Sequence, residues 1–268
     1  MKLVSQKAIL QKSQKANSEI KIYTIQTQKP IPFKPGQFFF LGVLGFGEAP
    51  FAPASFPKNE KDKILTFAIR KVGTVTSALD QLNQGENIWL RGPFGNGFPI
   101  NRIIHDNIIL VAGGTGIVII SGFLEYLIFS KQKYQQIFLL YGAKTPSELL
   151  FSEKFPTWRQ KFKLFLAAEK APSAWPEHQG MVTDLCKKFT TTPEKTSAII
   201  CGPPPMFGPV IEQIKKCHKI PDNKIYVSLE SRMKCGYGKC QHCTFGEKYV
   251  CLDGPIFSWD KVRSEFEQ

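Results

Sequence analysis

The sequence predicts a small β barrel followed by an open, mostly parallel α/β sheet, with a short cysteine-bearing segment at the C-terminal end. Three observations predict it. Over residues 1–101, short apolar runs recur between clusters of Gly and Pro, the pattern of an all-β domain with one interposed helix. Over residues 102–225 the period changes, and continuous apolar runs alternate with helical stretches. Over residues 226–268 neither pattern persists, and four of the chain's 7 cysteines fall between positions 235 and 251.

A chain of 268 residues that is 43% hydrophobic can fill the cores of two domains and carry an appendage. The formal net charge of +13 admits nucleic acid, an acidic membrane surface or an acidic protein as a partner. The lysines are scattered, no nucleic-acid-binding motif appears, and nucleic acid is set aside. The opening MKLVSQKAILQKSQKANSEI lacks the continuous apolar core of a secretory signal, so the expected location is the cytoplasm. Residues 108–124 carry no charge and approach the length of a membrane span. Gly113, Gly114 and Gly116 divide them into strand, turn and buried helix, and no transmembrane span is expected.

Within the barrel, residues 20–25 alternate apolar and polar side chains, as a half-buried strand does. Pro30, Pro32, Pro35 and Gly36 punctuate the connection to a short aromatic strand at 37–43. Gly45, Gly47, Pro50, Pro53 and Pro57 mark an irregular stretch after it. Further strands are expected at 64–69 and 87–90, the second ending at Arg91-Gly92-Pro93-Phe94-Gly95-Asn96-Gly97. Between them, a helix capped by Thr76 or Ser77 places Ala78, Leu79 and Leu82 on one face. In the α/β part, buried strands are expected at 107–112, 136–141, 162–167 and 197–201, and helices at 117–129, 181–189 and 210–217.

Two places in the α/β part can meet a ligand. Gly113-Gly114-Thr115-Gly116 lies between a buried strand and a helix, where such sheets bring backbone up to a dinucleotide pyrophosphate. Cys201-Gly202-Pro203 ends a second strand whose carboxyl end faces the same crevice. Glycines there also serve simple close packing, and a lone Cys201 is more often a buried core thiol. In the barrel, Gly73-Thr74-Val75-Thr76 offers open amides and a hydroxyl to a second pyrophosphate, or is an ordinary N-capped turn. His105, His178, His218 and His242 lie singly, as surface or satisfied histidines do. No hydrolase constellation appears, and no catalytic acid or base is assigned.

Cys235, Cys240, Cys243 and Cys251 are spaced by four, two and seven intervening residues. This is the plant-type spacing for a 2Fe–2S cluster: a tight loop presents three thiolates and a fourth follows. Iron takes soft thiolate ligands. Gly236 and Gly238 free the loop's backbone to bring N–H groups to the sulfurs. Lys234, Lys239 and His242 set polar or positive groups beside a negative cluster. A structural zinc site uses the same residues but usually shows two short Cys-x-x-Cys knuckles, and here there is one. An odd cysteine count speaks against disulfides.

The order barrel, α/β sheet, ferredoxin-like cysteines resembles the ferredoxin-NADP reductase superfamily over nearly the whole chain. Within it, the chain is similar to the electron-transfer subunits of cytosolic NiFe hydrogenase (sulfhydrogenase gamma), anaerobic sulfite reductase and dihydroorotate dehydrogenase. The residues that carry the resemblance are Leu90-Arg91-Gly92-Pro93-Phe94-Gly95, the GGTG tetrad, Cys201-Gly202-Pro203, Ser228-Leu229-Glu230-Ser231-Arg232-Met233 and Cys251-Leu252-Asp253-Gly254-Pro255-Ile256-Phe257. The short insert before Cys251 resembles the hydrogenase and sulfite reductase branches.

The resemblance implies FAD on the barrel, against Ala49, Pro50, Phe51 and Ala52, then Ala68, Ile69 and Arg70, then Val75 and Thr76. It implies NAD(P)H against Gly113, Gly114, Thr115, Gly116, Cys201, Gly202 and Pro203. It also implies a 2Fe–2S cluster held by the four cysteines and a metalloenzyme partner subunit of hydrogenase or sulfite reductase type. Two departures stand out. Ala49-Pro50-Phe51-Ala52 replaces a motif that begins with arginine and ends in Ser or Thr, and Gly116-Ile117-Val118-Ile119 replaces Gly-Ile-Ala-Pro. They support a rival reading, a non-enzymatic iron–sulfur relay or assembly subunit. A zinc-stapled binding protein is the third.

Overall fold

The computed structural model of the protein describes residues 4–130 and 134–267. By contacts the chain divides into two compact units. The first comprises Met1–Phe98, Val118–Ser130 and Glu230–Pro255, and the second Pro99–Ile117, Lys131–Leu229 and Ile256–Gln268. Of the stretch 226–268, residues 230–255 cluster with the first unit, and residues 226–229 and 256–267 with the second.

The first unit is built on β1 (Gln6–Lys15), β2 (Ile20–Thr27), β3 (Phe38–Val43), β4 (Gly47–Phe51), β5 (Ile64–Arg70), α1 (Thr74–Gln81) and β6 (Asn87–Phe94). These strands form one antiparallel sheet in the order β4-β3-β6-β1-β2-β5. The chain leaving β4 bridges to β5 at the other edge: Ala54 N donates to Thr66 O at 2.7 Å, and Thr66 N donates to Ser55 Oγ at 2.9 Å. That bridge rolls the sheet into a barrel around Leu10, Tyr23, Ile25, Phe39, Leu41, Phe67, Ile88 and Leu90, with Leu79 of α1 at one end. β1 escapes the sequence reading because only Ala8 and Leu10 of its ten residues are buried. β4 escapes it because Pro50 forbids a central strand, and β4 is an edge strand, where proline is tolerated. The cap of α1 is Gly73, not Thr76 or Ser77. Thr76 Oγ1 instead reaches back to accept from Val72 N and Gly73 N, each at 2.9 Å.

The second unit holds α2 (Ile100–Ile103), β7 (Asn107–Gly113), β8 (Ile137–Ala143), α4 (Phe155–Lys161), β9 (Lys163–Ala168), β10 (His178–Gln179), β11 (Thr196–Cys201), α5 (Phe207–His218), β12 (Ile225–Ser228) and β15 (Ile256–Ser258). Its sheet runs β10-β9-β8-β7-β11-β12-β15, parallel except for the antiparallel edge strand β15. β7, β8 and β11 are buried along nearly their whole length, which is why their sequences read as continuous apolar runs. The helix expected at 181–189 is a run of 3₁₀ turns, Val182–Lys188, with Val182 and Leu185 buried three residues apart.

The uncharged stretch 108–124 divides into β7, a 3₁₀ turn and the first part of α3 (Ile117–Phe129), as its glycines imply. Among the described residues no helix is long and apolar enough to cross a membrane. From Val118 onward α3 clusters with the barrel rather than with the sheet it follows. Ser121 Oγ donates to Ala54 O at 2.8 Å, Gly122 lets Pro53 O come close, and the Phe123 ring stacks on Phe98 with centroids 4.5 Å apart.

Two glycines of the second unit make opposite predictions. A Cβ on Gly116 would overlap the carbonyl of Cys201, whereas a Cβ on Gly208, in the first turn of α5, meets nothing within 4 Å. Gly116→Ala is expected to destabilise by about 1–3 kcal/mol, the cost of overpacking. Gly208→Ala is expected to be neutral or to stabilise by up to about 1 kcal/mol through helix propensity. Urea denaturation midpoints, with unchanged slopes, check both.

Candidate cluster and nucleotide sites

The cysteine loop is seated on the outside of the barrel. In β3, Phe39 and Leu41 point into the core, so Phe38 and Phe40 must point out. Both are nevertheless buried, as is Phe94 at the end of β6. The three rings pack together, with centroids 5.6–5.9 Å apart, into an aromatic platform. Gly236 rests on it: with φ +86 and a Cβ that would lie 2.9 Å from Phe40 and 3.1 Å from Phe94, the position admits only glycine.

Arg91, on β6 opposite Phe40 of β3, fixes the loop to this platform. Its Nη1 donates to Cys235 O at 2.6 Å and its Nη2 to Lys234 O at 3.0 Å. Its Nε donates to Glu48 Oε2 at 3.2 Å, and Nη2 also pairs with Glu48 Oε1. The guanidinium carbon lies 4.5 Å from the Phe40 centroid and 5.0 Å from that of Phe94. The far end of the segment is tied to the barrel as well: Asn96 N donates to Gly254 O at 2.6 Å and Asn96 Nδ2 to Asp253 O at 2.7 Å. Between these anchors lie a small hairpin, β13 (Thr244–Phe245) and β14 (Lys248–Tyr249), and the short α6 (Val250–Asp253).

Backbone N–H groups of the loop point at sulfur. Tyr237 N and Cys240 N each lie 3.5 Å from Cys235 Sγ, Gly238 N lies 3.2 Å from Cys251 Sγ, and Cys251 N lies 3.4 Å from Cys243 Sγ. The thiols act on one another, Cys235 with Cys240, and Cys251 with both Cys243 and Cys235. Burial works against ionisation of Cys235, but the donors from Cys240, Tyr237 and Lys239 outweigh it and hold its pKa at about 6. Burial, with the neighbouring Cys243 thiol, pushes Cys251 up to about 12. This donor set fits a thiolate-ligated cluster of two irons, which takes two sulfurs at each metal. Lys234, Lys239 and His242 are exposed around the loop. A cleft of about 460 Å³ flanks it, lined by Ile31, Pro93, Phe94, Gly236, Cys251 and Leu252 among others.

In the second unit, the sheet reverses its winding between β7 and β11: β8, β9 and β10 follow β7 on one side, and β11, β12 and β15 lie on the other. Ligands of open α/β sheets sit at the carboxyl ends of the strands at such a switch. Gly113-Gly114-Thr115-Gly116 and Cys201-Gly202-Pro203 leave the two strands there, side by side. Gly116 crosses the Cys201 carbonyl at a distance no side chain allows, and Met206 packs over both Gly113 and Gly202. Gly114 has φ +52 and open space where a Cβ would be. Of the two residues that depart from Gly-Ile-Ala-Pro, Val118 is buried in packing and Ile119 is half-buried.

The barrel residues expected to meet FAD fall on three elements. Ala49, Pro50 and Phe51 lie on β4 opposite Leu41, Phe40 and Phe39, and Ala52 follows; all four are half-buried. On β5, Ile69 points into the barrel core, so Ala68 and Arg70 occupy the other face. Arg70 is half exposed, its Nε 3.3 Å from Glu19 Oε2. Val75 and Thr76 lie in the first turn of α1, and the Thr76 hydroxyl is engaged by the backbone N–H groups of Val72 and Gly73. Among the histidines, His178 Nε2 lies 3.2 Å from Asp184 Oδ2, and buried His218 lies 3.0 Å from Cys186 O, with its pKa lowered by burial. His105 and His242 are exposed. Sequence reasoning gave neither Glu48 nor Arg91 a role at the cysteine loop; the adjoining Gly-Pro was the available signal, but only the strand pairing reveals what Arg91 faces.

Comparison with known proteins agrees with this geometry. The family model of the oxidoreductase NAD-binding domain matches residues 110–211, and that of the iron–sulfur cluster binding domain of dihydroorotate dehydrogenase B matches residues 230–263. The sulfhydrogenase 2 gamma subunit of Pyrococcus furiosus is 36% identical over 91% of this chain and 89% of its own length. A probable dihydroorotate dehydrogenase B (NAD(+)) electron transfer subunit of Methanocaldococcus jannaschii is 34% identical over 90% of this chain and 86% of its own. In fold, the chain is similar to an NADH-dependent reduced ferredoxin-NADP oxidoreductase, with a TM-score of 0.75 at 23% identity over 97% of this chain and 92% of that one. It is also similar to a ferredoxin NADP+ reductase of Neisseria gonorrhoeae, with a TM-score of 0.67 at 19% identity over 80% and 91%. With a thiolate loop on its barrel and a glycine-lined switch point in its sheet, the chain belongs to the family of oxidoreductase electron-transfer subunits that includes the sulfhydrogenase gamma subunits and the dihydroorotate dehydrogenase B electron-transfer subunits.

Proposed function

We propose that the protein carries electrons between NAD(P)H and a metalloenzyme partner subunit of hydrogenase or sulfite reductase type, through FAD and a 2Fe–2S cluster, in the cytoplasm. In this reading residues 1–101 hold the flavin, 102–225 the nicotinamide nucleotide and 226–268 the cluster. The observation that carries it is the gathering of four cysteines on one loop with backbone N–H groups aimed at three of the sulfurs. When bound, the cofactors supply the redox chemistry, the nicotinamide exchanging electrons in pairs, the cluster singly, and the flavin converting one mode to the other.

The protein's own residues bind, orient and tune. Cys235 and Cys240 would ligate one iron and Cys243 and Cys251 the other. The N–H groups of Tyr237, Gly238, Cys240 and Cys251 favour charge on the sulfurs they face, which raises the ease of reduction. Gly113, Gly114, Thr115 and Gly116 present bare backbone and a helix N-terminus to a pyrophosphate. Cys201, Gly202 and Pro203 wall the other side of that crevice. On the barrel, the small neutral Ala49 and Ala52, with Pro50 and Phe51, would lie along the flavin without supplying charge. Of the expected flavin residues Arg70 alone is cationic, and it takes the part of the missing arginine toward the flavin phosphates, beside Ala68 and the first turn of α1 at Val75 and Thr76.

Anaerobically reconstituted protein is expected to hold two irons and two sulfides per chain and to show an EPR signal on one-electron reduction. Cys235→Ser is expected to lose that signal, and zinc without iron in the reconstituted protein would contradict the proposal. Arg70→Ala is expected to weaken FAD binding roughly tenfold, the worth of a charge-assisted hydrogen bond, as read by fluorescence titration. Anaerobic NADH or NADPH is expected to bleach the flavin absorbance and then the cluster's; no bleaching by either, with both cofactors bound, would contradict the electron path.

A further inference from the structure

Arg91 does something that no expectation assigned. Its side chain is only 10% exposed, and a buried guanidinium is costly unless it is paired and hydrogen-bonded. Here the charge is met on three sides. Glu48 accepts from two of its nitrogens, the carbonyls of Lys234 and Cys235 accept from Nη2 and Nη1, and the rings of Phe40 and Phe94 flank it. One of those carbonyls belongs to Cys235 itself, the first cysteine of the loop and the one whose sulfur collects two backbone N–H groups. The carboxylate comes from β4, directly before Ala49-Pro50-Phe51-Ala52. A single ion pair thus links the strand expected along the flavin to the residue expected to ligate iron.

We infer that Arg91 and Glu48 are a pair of positioning residues that hold Cys235 in place and set the reduction potential of the cluster. The inference rests on the proposed 2Fe–2S site and deepens it. Each one-electron reduction makes a cluster one unit more negative, with the electron supplied by an external donor. A fixed positive charge hydrogen-bonded to a ligand residue favours the reduced form, and a fixed negative charge one bond further out disfavours it. Net charge and hydrogen bonding near the sulfurs are the protein's levers on such potentials. Glu48 moderates the effect of Arg91 and orients the planar fork toward the loop.

A purely structural staple and a charge-bearing one predict different signs. If the pair only held the loop, removing either member would loosen it and move the potential the same way. If the pair also acts through charge, the two removals oppose each other. The experiment is an EPR-monitored redox titration with dithionite of anaerobically reconstituted full-length protein, with iron and sulfide measured on each sample. At the wild-type midpoint, Arg91→Met is expected to lower the ratio of reduced to oxidised cluster about tenfold, which is about 59 mV for a one-electron couple. Glu48→Gln is expected to raise the same ratio about threefold, since it unmasks the guanidinium. With full iron in both variants, an unmoved ratio in either, or shifts of the same sign, would overturn the inference. Should Arg91→Met fail to retain iron, Glu48→Gln decides alone: an upward shift supports the inference, and no shift or a downward one overturns it. Wild-type protein that takes up no iron would instead refute the proposed cluster, an outcome read separately from the comparison of variants.

Discussion

A barrel strand with large apolar side chains on both faces needs something to cover its outer face, and in this protein the cysteine loop is the cover. Phe38, Phe40 and Phe94 present rings outside the barrel, and each is buried. Leaving one such ring exposed forfeits roughly 1.5–3 kcal/mol of burial, so the platform and the loop stabilise one another. The loop cannot lie on the rings with a side chain at position 236, since its Cβ would stand 2.9 Å from Phe40. The seat fixes the positive φ of Gly236, and the anchors at Arg91 and Asn96 hold the loop on it while N–H groups turn toward sulfur.

The second unit obeys a different constraint. Its three central strands are buried along nearly their full length, so only their carboxyl ends can bear polar function. Two of these ends are brought into backbone contact by Gly116 at Cys201. The same closeness explains why the tetrad can serve both packing and binding. Gly116 is required by the crossing, while Gly114, with a positive φ and no neighbour at its Cβ, is the one left open to a ligand.

Much of this was legible from the residues because it is local. Four cysteines within seventeen residues declare their chemistry through spacing, and buried parallel strands declare themselves as unbroken apolar runs. What escaped is non-local or masked. β1 has a core face of only two residues, and β4 carries a proline that an edge position forgives. The helix at 117–129 was legible as a helix but not as part of the barrel's packing, which depends on Ala54 and Phe98 far up the chain. The bond between Arg91 and Cys235 spans 144 positions, and no periodicity reports a contact of that range. Ile69 shows the converse: a position matched by resemblance, whose side chain the strand's alternation turns into the core.

The account stands or falls on two irons held by two thiolate pairs on the barrel. Anomalous diffraction at the iron edge from anaerobically grown crystals of the reconstituted protein measures this directly. The account predicts two iron peaks joined by bridging sulfides, one bound by Cys235 and Cys240 and the other by Cys243 and Cys251. A single metal peak at the centre of all four sulfurs, or a peak that appears at the zinc edge and not at the iron edge, would contradict it.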